Sequence, residues 1–176
     1  DDFIKNLKIK ILSYKNLKSI IPRASEMTLK TNQFNLTTKR YTQHDIEKMM
    51  VNKNFDVFVF AVKDIFGDNG ITALVIVKKE NKDVFIDSFL MSCRIIGRKI
   101  ENSILKFVLE KYRSQYNYVY SKYKKSSKNS QVENFFSNNF FSIIKKDKKQ
   151  ILYKFNLKSA LLKNFKINSS IYEKKI

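Results

Sequence analysis

The sequence predicts a mixed α/β (α+β) domain built on one central mixed sheet. Strand-length apolar runs rich in Val, Ile and Phe alternate with segments whose apolar residues recur at helical spacing. Residues 87–101 in turn contain a strand, a tight basic turn with one of only three glycines, and a helix. At 176 residues and 43% hydrophobic content, the chain is long enough for a single domain with its own core. The predicted element order is β-α-α-β-β-β-α-β-α-β-β.

The first elements of this order are a strand and two helices. Residues 8–14 alternate polar and apolar side chains, which is typical of a half-buried strand. Residues 22–30 predict a helix, because a proline such as Pro22 is tolerated in a first turn. A second helix is expected over residues 42–51, since its first residue, Thr42, is followed by Asp45 at the spacing of a helix N-cap.

The remaining elements are mostly strands. A three-stranded meander is predicted at residues 57–62, 71–78 and 84–91, with a turn at residues 67–70. The helix after the basic turn has its apolar residues on one face: Ile100, Ile104, Leu105, Val108 and Leu109. A strand, a short helix and a hairpin follow, at residues 118–123, 132–136, 141–144 and 151–155. Residues 1–155 are assigned to the domain, and residues 156–176 are expected to form a C-terminal helix or a loose tail.

The basic turn at residues 94–99 has the features of an anion site. Backbone N–H groups point outward at such a turn, and the start of the following helix adds partial positive charge. The spacing of Arg94, Gly97 and Lys99 is similar to the Q/R-x-x-G-x-G/A turn with which the GNAT superfamily of acetyltransferases holds the phosphates of coenzyme A. Together with the element order, this resemblance implies a GNAT acyl-CoA N-acyltransferase-like fold. The alternative is an ordinary basic start of a helix.

The chain is strongly basic, with 35 Lys and Arg against 16 Asp and Glu and a net charge of +19. Such a charge suits nucleic acid, a membrane surface or an acidic protein. Composition alone also accounts for it, because Lys, Asn, Ile, Phe and Tyr are all abundant and the lysines are spread along the chain. No nucleic-acid-binding motif accompanies the charge, and no apolar run approaches the ~20 residues of a membrane span. Neither nucleic acid nor a membrane is therefore an expected partner.

Cysteine, histidine and acidic residues give little sign of metal or triad chemistry. The single cysteine excludes an internal disulfide and suits a reducing, cytoplasmic location. The single histidine, His44, stands at a helix start and is expected to face solvent. Asp64 and Asp68 lack the further ligands of a calcium loop, so they predict a hairpin turn, and no metal site is expected.

Four blocks of the sequence, in the same order, resemble the FkbH family. Residues 30–42 (KTNQFNLTTKRYT) are similar to its KTNQFNLTTRRY block, and residues 64–70 (DIFGDNG) to its D-R-F-G-D-x-G turn. Residues 87–98 (DSFLMSCRIIGR) are similar to its DSFLMSCRVLGR block. The family's Y-x-P-T-x-K-N-x-x-V block is matched at Tyr123, Ser126, Lys128, Asn129 and Val132.

This resemblance implies an activity and its partners. FkbH-type proteins join an N-terminal HAD-type phosphatase-like domain to a GNAT-like domain, and they resemble enzymes that load a glyceryl unit from a phosphorylated three-carbon donor onto an acyl carrier protein. The chain corresponds to the GNAT-like part, since the D-x-D-x-T motif of the HAD domain is absent from it. The implied partners are an acyl carrier protein and an HAD-type domain. The implied ligand is coenzyme A or the carrier protein's phosphopantetheine arm. Lys99 and Lys125 replace a family glycine and proline.

Cys93 is the candidate catalytic residue. It ends a strand just before the basic turn, where a GNAT fold splays its central strands, and flanking cations favour a reactive thiolate. The alternative is a structural cysteine buried on an apolar strand. The arm is expected to enter between residues 88–93 and 118–123. Its phosphate is expected to bind near Arg94, Ile96, Gly97, Arg98 and Lys99.

Two further sets of polar residues are candidate binding residues. Asn129 is predicted to donate a hydrogen bond to a pantetheine amide, the alternative being a helix N-cap. A dense polar block between the first two helices suits recognition of a polyhydroxy or acyl group, although a capped and solvated loop also accounts for it. The block comprises Asn32, Gln33, Asn35, Thr37, Thr38 and Arg40.

The sequence thus predicts a GNAT-like acyltransferase domain that handles an acyl thioester. A non-catalytic module that docks a carrier protein is the second interpretation. A basic nucleic-acid-binding domain is the third, and the missing motifs argue against it.

Overall fold

The computed structural model describes residues 2–174, and its strands form one mixed sheet. The strands are β1 (Lys10–Lys15), β2 (Phe34–Asn35), β3 (Phe55–Asp64), β4 (Gly67–Glu80), β5 (Asp83–Met91), β6 (Tyr118–Lys124), β7 (Ser142–Lys146), β8 (Gln150–Asn156) and β9 (Ser170–Glu173). The helices are α1 (Asp2–Asn6), α2 (Ile21–Lys30), α3 (Gln43–Val51), α4 (Glu101–Tyr112) and α5 (Phe135–Asn138).

The sheet order is β7-β8-β6-β5-β4-β3-β1-β9, and the short β2 pairs with β5. Neighbouring strands are antiparallel except for β5–β6 and β1–β9, which are parallel. The predicted mixed sheet and the order of its central elements are therefore present. None of the helices formed by residues 2–174 combines the length and apolar character that crossing a lipid bilayer requires.

Helices cover both faces of the sheet, and the central strands β3 and β4 therefore bury side chains on both sides. On one face, Met27 of α2 and Ile46 of α3 pack in a cluster with Leu74 of β4. On the other face, Ile104 of α4 belongs to a larger cluster that contains Phe89 of β5. The core therefore has two halves, with β5 contributing to both.

Local sequence signals account for the first helices. The Thr42 hydroxyl accepts the N–H of Asp45 at 3.2 Å, and the Asp45 carboxylate accepts the N–H of Thr42 at 2.9 Å. This capping box satisfies two backbone donors at the start of α3. Pro22 lies in the first turn of α2, as predicted. The short α1 was not predicted; it precedes Leu7, which is buried.

The β3–β4 turn lies earlier than predicted. The chain reverses at residues 65–66, between the paired residues Asp64 and Gly67, rather than at residues 67–70. The Asp64 carboxylate accepts the N–H of Phe66 at 2.9 Å, and Gly67 has a φ of 136°, so this pair forms the tight turn. Gly70, with a φ of 67°, lies in a β-bulge of β4 instead.

The C-terminal segment is neither the helix nor the loose tail that the sequence suggests. Over the part that is described, it forms a short 3-10 helix (Ala160–Asn164) and then β9, which pairs with β1. Leu157, Leu162 and Phe165 are buried in the main core, and their burial holds the segment against the domain. The β9 backbone then pairs with the edge of β1.

Candidate functional site

A cleft at the C-terminal end of β5 brings together three of the four sequence blocks. Its volume is about 620 Å³. The first block contributes Thr31, Asn32 and Gln33, the third Met91, Ser92 and Cys93, and the fourth Lys128, while α2 adds Arg23, Glu26, Met27 and Lys30. Blocks far apart in the sequence thus meet around the single thiol, and we call this site the Cys93 cleft.

The Cys93 side chain is exposed. β5 ends at Met91, and Cys93 begins a 3-10 turn that Ser92 caps, with the Ser92 hydroxyl accepting the N–H of Arg94 at 3.4 Å. The chain therefore leaves the sheet before it reaches the cysteine. The interpretation of Cys93 as a buried structural residue is wrong, and its thiol can be reached by a substrate.

The α2 rim of the Cys93 cleft carries fixed charges. Arg23 donates to Glu26 at 2.8 Å and to the carbonyl oxygen of Ile71 at 3.2 Å, and Lys30 donates to Glu26 at 2.8 Å. Hydrogen bonds from Lys30, which has the larger effect, and from Arg23 lower the pKa of Glu26 to about 2. Glu26 is therefore ionised at neutral pH and is a poor proton acceptor. With Lys128 included, three cations face one carboxylate, so the cleft favours an anionic ligand.

The basic turn has the non-helical geometry that the sequence predicts. Gly97 has a φ of 90° and Lys99 a φ of 54°, and a Cβ built on Gly97 would meet no atom within 4 Å. Arg94 is exposed, and within residues 2–174 its side chain makes no hydrogen bond. The backbone of Gly97 can thus be approached from outside, and Arg94 is free to contact a phosphate.

Arg98 is used differently from what was predicted. Its Nε donates to the Asp64 carboxylate at 2.8 Å, and another guanidinium nitrogen donates to the carbonyl oxygen of Arg94 at 2.8 Å. The Asp64 side chain is buried. Burial raises the pKa of Asp64, but the bonds from Arg98 and from the Phe66 N–H outweigh it and hold this pKa below its usual value. Arg98 therefore anchors the basic turn to the β3–β4 hairpin, which links the second sequence block to the third.

The start of α4 already holds a carboxylate. Ile100, the N-cap residue, provides no side-chain hydrogen bond, and Glu101 follows as the first helical residue. Burial raises the pKa of Glu101, while its own backbone N–H and Lys99 act in the opposite direction. Nearby, the Asn168 side chain donates to the carbonyl oxygen of Lys99 at 3.4 Å. The helix terminus is thus partly occupied by the protein itself.

A Glu101→Gln variant is expected to be more stable than the wild type at neutral pH, with the difference shrinking in acid. A carboxyl whose pKa is raised by folding binds its proton more tightly when folded. Its stabilising contribution is therefore complete below the unfolded value of about 4.3 and is lost as the pH rises through the folded value. Thermal unfolding from about pH 4 to about pH 8 tests this. A stability difference that does not change with pH would contradict it.

The gap between β5 and β6 opens where predicted but is not empty. Their parallel pairing stops at Ile86 and Ser121, although both strands continue. Beyond that point β2 and the following Leu36 lie between them, and we call residues 34–36 the β2 bridge. The N–H of Leu36 donates to the carbonyl oxygen of Phe89 at 3.1 Å, and the N–H of Lys124 donates to the carbonyl oxygen of Leu36 at 2.8 Å. The predicted path of a pantetheine arm through this gap is therefore filled by the chain's own backbone. The cleft beyond the end of β5 gives a ligand another way to reach Cys93.

Asn129 holds this bridge in place and is not available to a ligand. It is fully buried, and its amide nitrogen donates to the carbonyl oxygens of Asn35 and Lys124, both at 2.9 Å. Its amide oxygen accepts the N–H of Ser126 at 2.8 Å and the hydroxyl of Tyr123 at 3.1 Å. Since both N–H groups are used, the predicted hydrogen bond to a pantetheine amide has no donor. Asn129 does occupy the N-cap position of the 3-10 turn Ser130–Val132, as the alternative has it, but its side chain makes no capping hydrogen bond there.

Two residues of the polar block are structural. Asn35 is fully buried, donates to the carbonyl oxygen of Thr31 at 3.1 Å and accepts the N–H of Thr38 at 3.0 Å. Arg40 donates to the carbonyl oxygens of Thr28 and Thr31 at the end of α2, and to the side chain of Asn32 at 2.6 Å. Both side chains stabilise the loop rather than contact a ligand. Thr38 has a φ of 57°, which is a strained value for a β-branched residue. Such strain persists only where surrounding contacts fix the backbone, so these hydrogen bonds determine the shape of the loop.

The remaining residues of the block divide between two clefts. Asn32 and Gln33 line the Cys93 cleft, and Gln33 is exposed without a hydrogen bond to residues 2–174. Thr37 instead lines a second cleft of about 440 Å³, where β5 and β6 diverge. The buried hydroxyls of Thr37 and Ser121, which both line it, have no hydrogen-bond partner within residues 2–174. The block therefore does not form one substrate site.

Asp87, which lines the second cleft, belongs to an acid–phenol pair that sequence reasoning missed. The Tyr41 hydroxyl donates to the Asp87 carboxylate at 2.7 Å, and Lys39 pairs with the same carboxylate. Burial, then the bond to Asp87, raises the pKa of Tyr41, so this phenol is protonated at neutral pH. Asp87 lies within the quoted DSFLMSCR block, and a carboxylate in an otherwise apolar strand was the available signal.

Metal and histidine chemistry find no support in the part of the chain that the structure describes. Within residues 2–174, no three His, Cys, Asp or Glu side chains are grouped as metal ligands. His44 lies on α3, exposed as predicted, and does not line the Cys93 cleft.

Comparison with solved structures identifies the fold. The ribosomal-protein-S18-alanine N-acetyltransferase of Escherichia coli aligns with a TM-score of 0.66 and 6% identity, over 85% of this chain and 96% of its own. A GNAT-family acetyltransferase of Staphylococcus aureus aligns with a TM-score of 0.62 and 17% identity, over 85% and 99%. The PaiA N-acetyltransferase of Thermoplasma acidophilum, in complex with coenzyme A, gives 0.64 and 11%, over 83% and 98%.

Sequence comparison adds no assignment, since no protein-family model and no curated protein matches the chain. The chain has the GNAT acetyltransferase fold, as the sequence predicts.

Proposed function

We propose that this domain is an FkbH-type acyltransferase that takes the acyl group of a phosphopantetheine thioester onto Cys93. The observation that carries this proposal is the exposed thiol of Cys93 in a cleft built from three sequence blocks that resemble that family. The fold is one in which a solved acetyltransferase is in complex with coenzyme A, which supports a thioester ligand. The donor is an acyl carrier protein or coenzyme A.

The chemistry requires only a thiol–thioester exchange. The Cys93 thiolate attacks the thioester carbonyl, a new carbon–sulfur bond forms, and the bond to the pantetheine sulfur breaks. The pantetheine leaves as a thiolate and takes up the proton that Cys93 released, so the step is balanced and reversible. The cations of the cleft, Arg23, Lys30 and Lys128, favour the negative charge that develops on the carbonyl oxygen during this attack.

The cleft also suits a small hydroxylated acyl group. The amide side chain of Gln33 lines it together with Cys93, and an amide both donates hydrogen bonds to hydroxyl groups and accepts them. Gln33 is free to turn toward a ligand, because none of residues 2–174 holds its side chain by a hydrogen bond. A glyceryl-like group is therefore the acyl group that we propose for this site.

The test is the detection of an acyl-enzyme. The protein is incubated with an acetyl or glyceryl thioester of N-acetylcysteamine, of coenzyme A and of a carrier protein, and its intact mass is followed. One acyl group per chain, mapped to the peptide that contains Cys93, is expected. Acylation of lysines only, or no adduct from any of the three thioesters, would refute the proposal.

A non-catalytic docking module is the second candidate, and the β2 bridge favours it. Leu36 is hydrogen-bonded to both β5 and β6, so the domain cannot hold a pantetheine arm along the gap between these strands. This candidate requires binding of a carrier protein without an adduct on Cys93, and the same experiment distinguishes the two.

A further inference from the structure

The end of the sheet that carries the Cys93 cleft also carries a cluster of exposed lysines. We call this surface the basic edge; it comprises Lys124, Lys125, Lys128, Lys145, Lys148 and Lys149. β6 runs parallel to β5 and ends at Lys124, so these lysines and Cys93 lie at the same end of the sheet. The basic edge is thus placed beside the only thiol.

Backbone contacts make the basic edge continuous with the Cys93 cleft. Lys124 pairs with Gln150 at the start of β8, and the N–H of Lys125 donates to the carbonyl oxygen of Lys149 at 2.8 Å. The tip of the β7–β8 hairpin is therefore held against the loop after β6. That loop leads directly to Lys128, which lines the cleft. The positive surface extends from the hairpin tip to the rim of the thiol site.

The positive charge of the basic edge exceeds the acidic charge beside it. None of its six lysines forms an ion pair with an acidic residue among residues 2–174. The two nearest acids in sequence are already engaged: Glu133 pairs with Lys146 at 3.6 Å, and Asp147 accepts the N–H groups of Lys149 and Gln150. Like charges held together on one surface repel each other, and an acidic partner relieves that repulsion.

Exposed aliphatic side chains lie within this positive surface. All residues of β7 are exposed, and Ile143 and Ile144 are 51% and 53% accessible. A patch of apolar contacts surrounded by lysines is the composition that suits an acidic protein with an apolar centre. Lysines on an edge strand also prevent strand pairing between copies, but that role does not account for Lys125 and Lys128, which lie outside β7.

The interior of the domain offers few places where the length of a pantetheine arm could bind. The gap between β5 and β6 is bridged by Leu36, and the start of α4 holds Glu101 with Asn168 beside it. A thioester must therefore approach Cys93 at the open end of the cleft, where the protein contacts only the last part of the arm. Binding energy has to come from outside the cleft, and the basic edge is the adjoining surface that can supply it.

We propose that the basic edge docks an acidic carrier protein, which presents its thioester to Cys93. This inference rests on the proposed function, because it assumes that the thioester at Cys93 arrives on a carrier protein rather than on free coenzyme A. The contact is electrostatic at the lysines and apolar at Ile143 and Ile144. Because much of this contact is between charges, salt should weaken the binding of the carrier protein. Because the contact lies outside the cleft, binding should not require the Cys93 thiol.

Two charge-matched double variants test this surface. Lys125→Glu/Lys149→Glu reverses two charges of the basic edge without altering a cleft residue. Lys53→Glu/Lys82→Glu makes the same change at the opposite end of the sheet, where both lysines are exposed. Each protein is titrated calorimetrically with a bacterial acyl carrier protein that carries an acetylated phosphopantetheine arm. Acylation of Cys93 is then measured with that carrier protein and with acetyl-N-acetylcysteamine.

The basic-edge variant is expected to lose at least tenfold in carrier affinity and in carrier-dependent acylation, with an unchanged rate from acetyl-N-acetylcysteamine. The Lys53/Lys82 control is expected to stay within about twofold of the wild type, since its charges lie far from the cleft. Raising the salt concentration should lower the carrier affinity of the wild type toward that of the basic-edge variant. Equal losses in both variants, or none in either, overturn the proposal.

Failure of docking and failure of the chemistry give different results. If the carrier protein binds the wild type and not the basic-edge variant, while no thioester acylates Cys93, docking stands and the acyl-enzyme proposal fails. If every thioester acylates Cys93 equally in wild type and variant, the chemistry stands and the docking surface is overturned. If the wild type binds a single-stranded RNA oligonucleotide through these lysines and does not bind the carrier protein, the basic edge is a nucleic-acid surface instead.

Discussion

Cys93→Ala is expected to abolish the acyl adduct completely, whichever thioester is supplied. The chain has no second cysteine to take over the reaction. Because the thiol is exposed, its truncation leaves no cavity in the core, and the free energy of unfolding should change by less than about 0.5 kcal/mol. Intact-mass spectrometry and urea unfolding of the same preparation separate loss of chemistry from loss of fold.

Cys93→Ser serves as the matched variant for this prediction. A hydroxyl is a weaker nucleophile than a thiolate, so any adduct should form slowly and be an ester. The ester should resist neutral hydroxylamine, whereas the thioester on the wild type should be cleaved by it. Removal of the acyl group from an acylated carrier protein at the wild-type rate by Cys93→Ala would exclude the nucleophilic role. The domain would then be better described as a docking platform.

Asn129→Ala is expected to lower the free energy of unfolding by about 3 kcal/mol, the largest single effect on stability that we expect. The side chain makes hydrogen bonds with Asn35, Lys124, Ser126 and Tyr123. Each buried group left without a partner costs about 1–3 kcal/mol, and solvent entering the new space reduces the sum. Urea unfolding measures the effect directly.

Asn134→Ala is the control for Asn129→Ala, because Asn134 is exposed and makes no side-chain hydrogen bond within residues 2–174. Its effect should stay within about 0.5 kcal/mol. A loss of under about 1 kcal/mol in the Asn129 variant would mean that the hydrogen bonds of the Asn129 side chain do not hold β2 between β5 and β6. A loss of stability together with faster binding of coenzyme A would show that the bridge normally blocks the gap.

The sequence predicts the main elements of this fold because their signals are local. The capping pattern of Thr42 and Asp45 and the proline at the start of α2 each act within one turn of chain. The β2 bridge has no such signal, since a two-residue strand is too short for a periodic pattern. Its position depends on a contact between Asn35 and Asn129, which are 94 residues apart. Only the tertiary structure reveals it.

The same difference between local signals and tertiary contacts separates the correct from the incorrect predictions about the candidate site. Cys93, Asn32 and Gln33 meet in one cleft, as the matched blocks suggest, because each block lies at the end of a predicted element. The sequence pattern predicts Arg40 and Asn129 as binding residues, because a sequence shows that a polar group is present but not whether its hydrogen bonds are already satisfied inside the protein. The carboxylate of Asp87 is a visible signal in the sequence, but Asp87 is the unpaired residue of a bulge in the β4–β5 pairing, and no local pattern predicts the irregularity that turns it toward Tyr41.

The pairing of β9 with β1 sets an order in which parts of the domain form and open. Lys10 pairs with Ser170, so this contact closes almost the whole chain into a loop and is expected to form late in folding. A four-residue, mostly exposed strand at the sheet edge should also open before the core does, which hydrogen exchange of the β9 amides would detect as early loss of protection. Asn168 precedes this strand and contacts both Lys99 and Ser103. Fraying of β9 would therefore uncover the start of α4, and an edge strand would control access to the basic turn.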